Sequence, residues 1–284
     1  LNNDNKEKAD FAYYERLKYI KETFWNEETY LNKAFVLEKN TSNLFLKQFL
    51  RVDRAKYYQN KTYKSGDINL HKEALSLIDT ILNSKTNINA LADAETIKSD
   101  ILKKSLNIIL PKIIYPNQNT RAHVNFKNVD SLTISYYQFP QKLNFVFENY
   151  YYRGTNNRIN KDSIINEFLL KNKAFKTHQI KLPSKGDYFE YSTEFLLDKL
   201  DIGNYLVYVE SPNDSNSNIK AFAYEKIQVT NMFVIEDEEE NKDAFYFYDR
   251  KTGKPLENIK IKNEDENQIS ITMFSCIVNS FFGM

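Results

Sequence analysis

The sequence predicts an α+β fold, in which an N-terminal α-helical segment is followed by an antiparallel β-sandwich domain and the start of a second one. Two observations carry this expectation. Up to about residue 107, apolar residues recur at three-and-four spacing, as in Ala74, Leu75, Ile78, Ile81 and Leu82. From Pro111 the period drops to two: Leu132, Ile134 and Tyr136 alternate with Thr133, Ser135 and Tyr137. The expected spans are 1–107 for the helices, 108–230 for the sandwich and 231–284 for the truncated second sandwich.

Each element has its own signal. KEKADFAYYERLKYIKETF carries Phe11, Tyr14, Leu17 and the Ile20–Phe24 stretch on one stripe. NTSNLFLKQFLRVDRAKYY continues it through Leu44, Phe45, Phe49, Leu50 and Ala55. A turn-like KSGD at 64–67 precedes the amphipathic INLHKEALSLIDTILNS. A further helix, ALADAETIKSDILKKSLNIIL, aligns Leu91, Ala94, Ile97, Ile101, Leu102 and Leu106 and runs toward Pro111. Antiparallel helix pairs fit this pattern, and no strict repeat period marks a solenoid. In the β region, Ala122, Val124 and Phe126 alternate with His123 and Asn125. FVFENYYY is strand-like, KDSIINEFLLKNK suits a short connecting helix, and PNDSNSN is a polar loop. THQIKLP, DYFEYSTEFLLDKL, GNYLVYVES and AFAYEKIQVT follow one another at the spacing of sandwich strands. NMFVIEDEE and DAFYFYDRKTGKPLENIKIKN open another strand set.

Composition excludes several function classes. The chain of 284 residues holds 39 basic and 38 acidic side chains, a net charge of +1 with no basic stretch, so no nucleic-acid partner is expected. Apolar residues at 42% and charged residues at 27% mark a globular chain. Six glycines and six prolines leave little material for phosphate-cradling loops, while Tyr and Phe reach 20 each. One cysteine rules out an internal disulfide, and three scattered histidines offer no zinc set. His71, His123 and His178 read as isolated surface or strand residues. Neither cofactor nor metal nor small-molecule substrate is expected, and no enzymatic activity.

No apolar run reaches the ~18–20 residues of a membrane span, and no signal peptide is visible in this chain. The start at Leu1 and the apolar ISITMFSCIVNSFFGM tail read as a fragment or frame-disrupted product. Its last strand would leave an exposed edge that favours aggregation or dimerisation.

Four short motifs invite chemistry. Gly253 and Lys254 in RKTGKP suggest a phosphate loop, but Tyr248 stands where that motif needs glycine and Pro255 where it needs Ser or Thr. A glycine-containing turn is the better reading. The acidic run Glu236–Glu240 lacks calcium-loop spacing and reads as a solvated hairpin tip. Cys276 sits among apolar residues and reads as a buried, inert thiol. The aromatic clusters at Asn149–Gly154 and Phe245–Asp249 suit a platform for sugars or bases, but alternating strands place every second aromatic in a core, and core packing is the better reading.

Beyond these patterns, LPKIIYPNQNTRAHVNFKNVDSLTISYYQF resembles the start of a macroglobulin domain in bacterial alpha-2-macroglobulins. HQIKLPSKGDYFEYSTEFLLDKLDIGNYLVYVES resembles that domain's later strands, with the cadence at Leu182–Pro183, Asp187–Tyr188 and Leu200–Val207. IQVTNMFVIEDEEENKDAFYFYDRKTGKPLENIKIKN resembles the opening of the next such domain. There Thr252, Gly253, Lys254 and Pro255 fit the family's Asp-Arg-x-Thr-Gly-Lys-Pro-Leu turn. The helices at 72–106 resemble the stretch that precedes these domains.

The resemblance implies a seven-stranded, immunoglobulin-like sandwich in a large secreted or periplasmic protein that traps endopeptidases. It implies that the other domains of the parent, and the trapped proteases, are the partners. The family's Cys-x-Glu-Gln thioester is missing, because Ile277, Val278 and Asn279 follow Cys276. A different reading also stands: DRKTGKPLENIKI resembles a carboxypeptidase-regulatory-like sandwich. That implies an extracellular or outer-membrane-associated module that binds polysaccharide or a transporter.

Overall fold

The computed structural model describes residues 3–24, 27–84, 88–140, 143, 161–212, 220–239, 242–257, 259–262, 268–270 and 275–278. The chain is α+β: helices come first, then antiparallel and mixed sheets in a sandwich-like arrangement. Backbone proximity divides it into two compact units. The first is Leu1–Ser105 with residues 126–129 and 183–191; the second is Leu106–Asn125, Asp130–Leu182 and Ser192–Met284.

Five helices build the first unit: α1 (Asn3–Phe24), α2 (Glu27–Asn40), α3 (Leu44–Ser65), α4 (Ile68–Ser84) and α5 (Ile88–Leu102). α3 is the spine. Its first half packs Leu46 and Leu50 with Tyr14 and Leu17 of α1 and Tyr30, Ala34 and Leu37 of α2. Its second half packs Val52 and Ala55 with Ala74, Ile78 and Ile81 of α4 and Ala90, Ala94, Ile97 and Ile101 of α5. The buried alanines take up little space in this seam, and the aliphatic side chains of Val52, Ile78, Ile81, Ile97 and Ile101 fill it. α3 is also well terminated. Asn43 accepts the Leu46 N–H at 3.0 Å as N-cap, and Gly66 follows the last turn at φ 70° with its N–H on the Thr62 carbonyl.

The first cluster contains a polar knot. The Tyr14 and Tyr30 hydroxyls both donate to Asp53 Oδ2, the former at 3.2 Å, and so tie α1 and α2 to α3. Tyr14 is 5% exposed and Tyr30 1%. Burial, reinforced by the Asp53 charge, pushes both phenols above their ordinary range, so they remain donors.

The expected helix through Leu106 stops at Leu102, and Ser105–Ile109 is strand β1. The turn at 126–129 caps α5: Asn128 Nδ2 donates to the carbonyls of Ile101 (2.8 Å) and Lys103 (3.1 Å), and Lys127 Nζ to that of Asp100 (2.9 Å). Past that cap the β-branched Ile108 and Ile109 favour extended backbone, with Ile108 buried and Ile109 exposed.

The second unit holds the sheets. β2 (Ile113–Ile114), β4 (Ser131–Gln138), β5 (Lys176–Lys181), β7 (Gly203–Glu210) and β8 (Phe222–Val229) form one sheet in the order β2-β8-β7-β4-β5. It is antiparallel except for β2 on β8. β3 (Arg121–Lys127) lies between β1 and β6 (Glu190–Leu196) in a three-stranded sheet. The inward register pairs Ile134 with Val209 and Tyr136 with Val207, all fully buried. Tyr136 accepts the Asp198 N–H at 3.1 Å through its hydroxyl, and burial pushes its pKa up to about 12. The outer face of the five-stranded sheet is covered by α6 (Lys161–Lys171), whose Ile165 and Phe168 pack on Phe139 and Leu206.

KDSIINEFLLKNK is thus the short helix the sequence suggests, while FVFENYYY lies outside the described residues. The strand expected across DYFEYSTEFLLDKL begins only at Glu190, because Gly186 and Tyr188 adopt positive φ (64° and 66°). The chain continues in a three-stranded sheet of β9 (Met232–Glu239), β10 (Lys242–Asp249) and β13 (Ser275–Val278), ordered β13-β10-β9, and in the pair β11 (Lys260–Lys262) and β12 (Gln268–Ser270).

The knot makes a specific demand on stability. Asp53→Ala strands two buried tyrosine hydroxyls and should destabilise the helical unit by about 2–4 kcal/mol in urea unfolding, whereas Asp53→Asn, which keeps an acceptor, should recover part of that loss.

Candidate functional site

Three stretches of backbone in the second unit end at one place: β2 at Ile114, β8 at Val229 and β10 at Asp249. Backbone bonds align the first two, from Gln228 N–H to the Lys112 carbonyl and from Thr230 N–H to that of Ile114. Arg250 closes the cluster. Its N–H donates to the Asn231 carbonyl at 2.8 Å and its Nη1 to the Thr230 carbonyl at 3.2 Å. Its guanidinium carbon lies 4.3 Å from the centroid of the Tyr115 ring, whose hydroxyl donates back to the Arg250 carbonyl at 3.0 Å. A delocalised, weakly hydrated cation suits such a stack better than an ammonium would. Arg250 is committed to holding chain segments together.

Thr252, Gly253, Lys254 and Pro255 form the turn that follows. Asp249 organises it: Oδ1 accepts the N–H groups of Lys251 (3.1 Å) and Thr252 (2.8 Å) and the Thr252 hydroxyl (2.8 Å). Those Thr252 bonds hold the Asp249 carboxyl below its usual range. The Gly253 N–H goes to the Asp249 carbonyl and the Lys254 N–H to Thr252 Oγ1. Gly253 sits at φ 68°, where a β-carbon would be strained. Pro255 bridges Tyr248. The N–H groups that a phosphate loop would present to an anion are consumed inside this turn, around a carboxylate. Its chemistry is closure of a hairpin.

The other candidate residues lie apart from this joint. His123 contacts Asn125 Oδ1 through Nε2 at 3.0 Å on β3. His178 on β5 pairs with Asp198, which Lys176 also reaches at 2.9 Å. His71 departs from the expected surface or strand histidine, being a fully buried residue of α4. Tyr63, Tyr188 and Phe189 surround its ring at 5.4–6.0 Å. Its Nδ1 lies 3.4 Å from the Asp187 carbonyl, and Nε2 has no hydrogen-bond partner among the described residues. The helical period around Ala74 and Ile78 was the signal that placed it inward.

The run at Glu236–Glu239 belongs to β9 and pairs with β10, so it is strand as far as Glu239 rather than hairpin tip, and Glu240 lies outside the described residues. Cys276 lies on β13 opposite Phe245. Tyr150–Tyr152 lie outside the described residues. Among the described residues no group of three or more His, Cys, Asp or Glu is placed to hold a metal ion, and no helix is long and apolar enough to cross a membrane.

No family model matches the chain, and no curated protein matches it. Among solved structures, native alpha-2-macroglobulin from Escherichia coli spanning domains NIE-MG1 is similar at 13% identity and a TM-score of 0.39, over 64% of this chain and 89% of that one. The fragment spanning MG0-NIE-MG1 gives 11% and 0.38, with 62% of this chain against 57% of that one. A CARDB domain from Pyrococcus furiosus gives 14% and 0.25, over 45% of this chain and 88% of that one. These are distant likenesses of architecture, and nothing about function follows from them.

Two outcomes test the assignments in this region. Arg250→Ala removes the stack and the Nη1 bond and should cost about 1–3 kcal/mol in the unfolding of the β unit, which Arg250→Lys should not fully restore. Burial holds the His71 pKa below the ordinary histidine range. The unfolded chain therefore binds the extra proton first, and stability should fall as pH drops below about 6.5, by up to ~1.4 kcal/mol per pH unit for one proton. Urea midpoints between pH 7.5 and 5 check this; the fall should flatten in His71→Phe.

Proposed function

We propose that the chain is a non-catalytic structural segment of an alpha-2-macroglobulin-like protein whose role is to trap endopeptidases. The other domains of that protein are its immediate partners, and the cell envelope or extracellular space is its setting. The observation that supports this reading is the joint at Arg250. The Asp-Arg-x-Thr-Gly-Lys-Pro-Leu turn that resembles the family's domain start spans Asp249–Leu256. Its arginine is the residue that clamps β10 onto the segments after β2 and β8.

Adjoining modules of one chain move relative to one another unless something holds them. A body that closes around a protease needs joints that transmit force rather than absorb it. A cation stacked on an aromatic ring and bonded to one carbonyl, with its own backbone N–H on the next carbonyl, is such a joint.

The test uses the parent protein that carries this segment. Incubated with an endopeptidase, it should block hydrolysis of casein while leaving hydrolysis of a small chromogenic peptide intact, because a trapped enzyme is closed to large substrates only. Unimpaired casein hydrolysis contradicts the reading, as does catalytic turnover by the 284-residue chain itself.

A further inference from the structure

Residues 183–191 stand between β5 and β6 in sequence but belong to the helical unit, where they lie against α4. Their conformation is imposed by what they touch. Tyr188 sits at φ 66°, in the left-handed region that a residue with a β-carbon disfavours, and Gly186 sits at φ 64°. A single non-glycine residue held there costs on the order of 1–3 kcal/mol, which the contacts of the segment offset. Asp187, between the two, is only 6% exposed. Its Oδ1 accepts the Phe189 N–H at 3.2 Å and its Oδ2 the Tyr191 hydroxyl at 2.6 Å.

The contact with α4 centres on His71. Its ring is fully buried, with Tyr188 at 6.0 Å, Phe189 at 5.4 Å and Tyr63 of α3 at 5.5 Å. Nδ1 lies 3.4 Å from the Asp187 carbonyl, so the neutral ring can donate there and leave Nε2 as a bare acceptor. A second proton would turn Nε2 into a charged donor with no acceptor among the described residues, which is far more costly. The ionisable groups around the ring are Tyr63, Tyr188, the Asp187 carboxylate and Lys127. The carboxylate relieves part of an imidazolium charge and the Lys127 ammonium opposes it. Lys72 and Glu73, next to His71 on α4, are exposed.

We propose that residues 183–191 form an acid-released strap, which leaves α4 when His71 takes up its second proton while the helices stay folded. The release is local because the strap joins the core of α3, α4 and α5 only through the partly buried Tyr188. The aliphatic side chains of that core are untouched by the proton. Opening gives the imidazolium water and lets Tyr188 leave its left-handed conformation.

Amide hydrogen exchange of the full chain tests this. The Phe189 N–H reports the strap and the Ile78 N–H reports α4. At pH 7.5 the Phe189 amide should exchange faster than that of Ile78 and be insensitive to about 1 M urea, the mark of a local opening. Between pH 7.5 and 5 its protection, corrected for intrinsic exchange, should fall at least about fivefold, with about thirtyfold the ceiling for one proton. His71→Phe keeps a ring in the enclosure and should abolish that fall. The variant separates the imidazole from the Asp187 carboxylate, whose own bonds to Phe189 and Tyr191 also answer to acid. Protection at Phe189 that does not change with pH overturns the proposal. So does exchange of Phe189 with the rate and urea dependence of Ile78, or a fall that survives in His71→Phe. The first two readings come from the unaltered chain and decide the matter even where the variant misfolds.

Discussion

One side chain joins the ends of β2, β8 and β10. Arg250 meets three segments that are distant in sequence: Tyr115 after β2, Thr230 and Asn231 after β8, and its own hairpin after β10. Each contact satisfies a group that would otherwise face water at an irregular point of the chain. The Thr230 and Asn231 carbonyls each receive a donor there, the Tyr115 hydroxyl finds an acceptor, and the ring face finds a cation. Because Asp249 gathers the N–H groups of the turn, Arg250 leaves β10 at a fixed angle rather than on a free loop. Among the described residues the joint is held by local donors and acceptors.

The helical unit is held differently. Small residues on α3, α4 and α5 take up little space, and aliphatic side chains fill the seam. Several polar groups inside it are held in sets: two phenols on Asp53, two guanidiniums on Glu38, and Gln48 Nε2 on the Ser84 hydroxyl. Four buried atoms there have no hydrogen-bond partner among the described residues: His71 Nε2, Arg54 Nε, Gln48 Oε1 and Asp10 Oδ2. The first lies in an aromatic enclosure between α4 and the 183–191 segment and makes that contact sensitive to acid.

Much of this was legible in the sequence because burial on one face writes itself as a period. The 3.6-residue stripe of Ala74, Ile78 and Ile81 and the two-residue alternation of Ala122, Val124 and Phe126 both match buried faces. What the sequence did not disclose depends on distant partners. α5 ends at Leu102 because Asn128 and Lys127 cap it from 25–27 residues away, and no Gly or Pro stands at that boundary to announce it. The start of β6 is set by the positive φ of Tyr188, a conformation its residue type disfavours. In RKTGKP the eye goes to the glycine–lysine pair. The residue that matters is Arg250, whose ring partner lies 135 positions upstream.

If the joint is as stiff as its bonding indicates, the hairpin of β9 and β10 and the sheet of β4, β7 and β8 must tumble as one body. Backbone ¹⁵N relaxation measures this directly. The account predicts a single rotational correlation time for amides of Met232–Asp249, Ser131–Gln138 and Gly203–Val229 that lie in these strands, splitting into two when Arg250 is replaced by Ala. A shorter correlation time for Met232–Asp249 in the unaltered chain would contradict it.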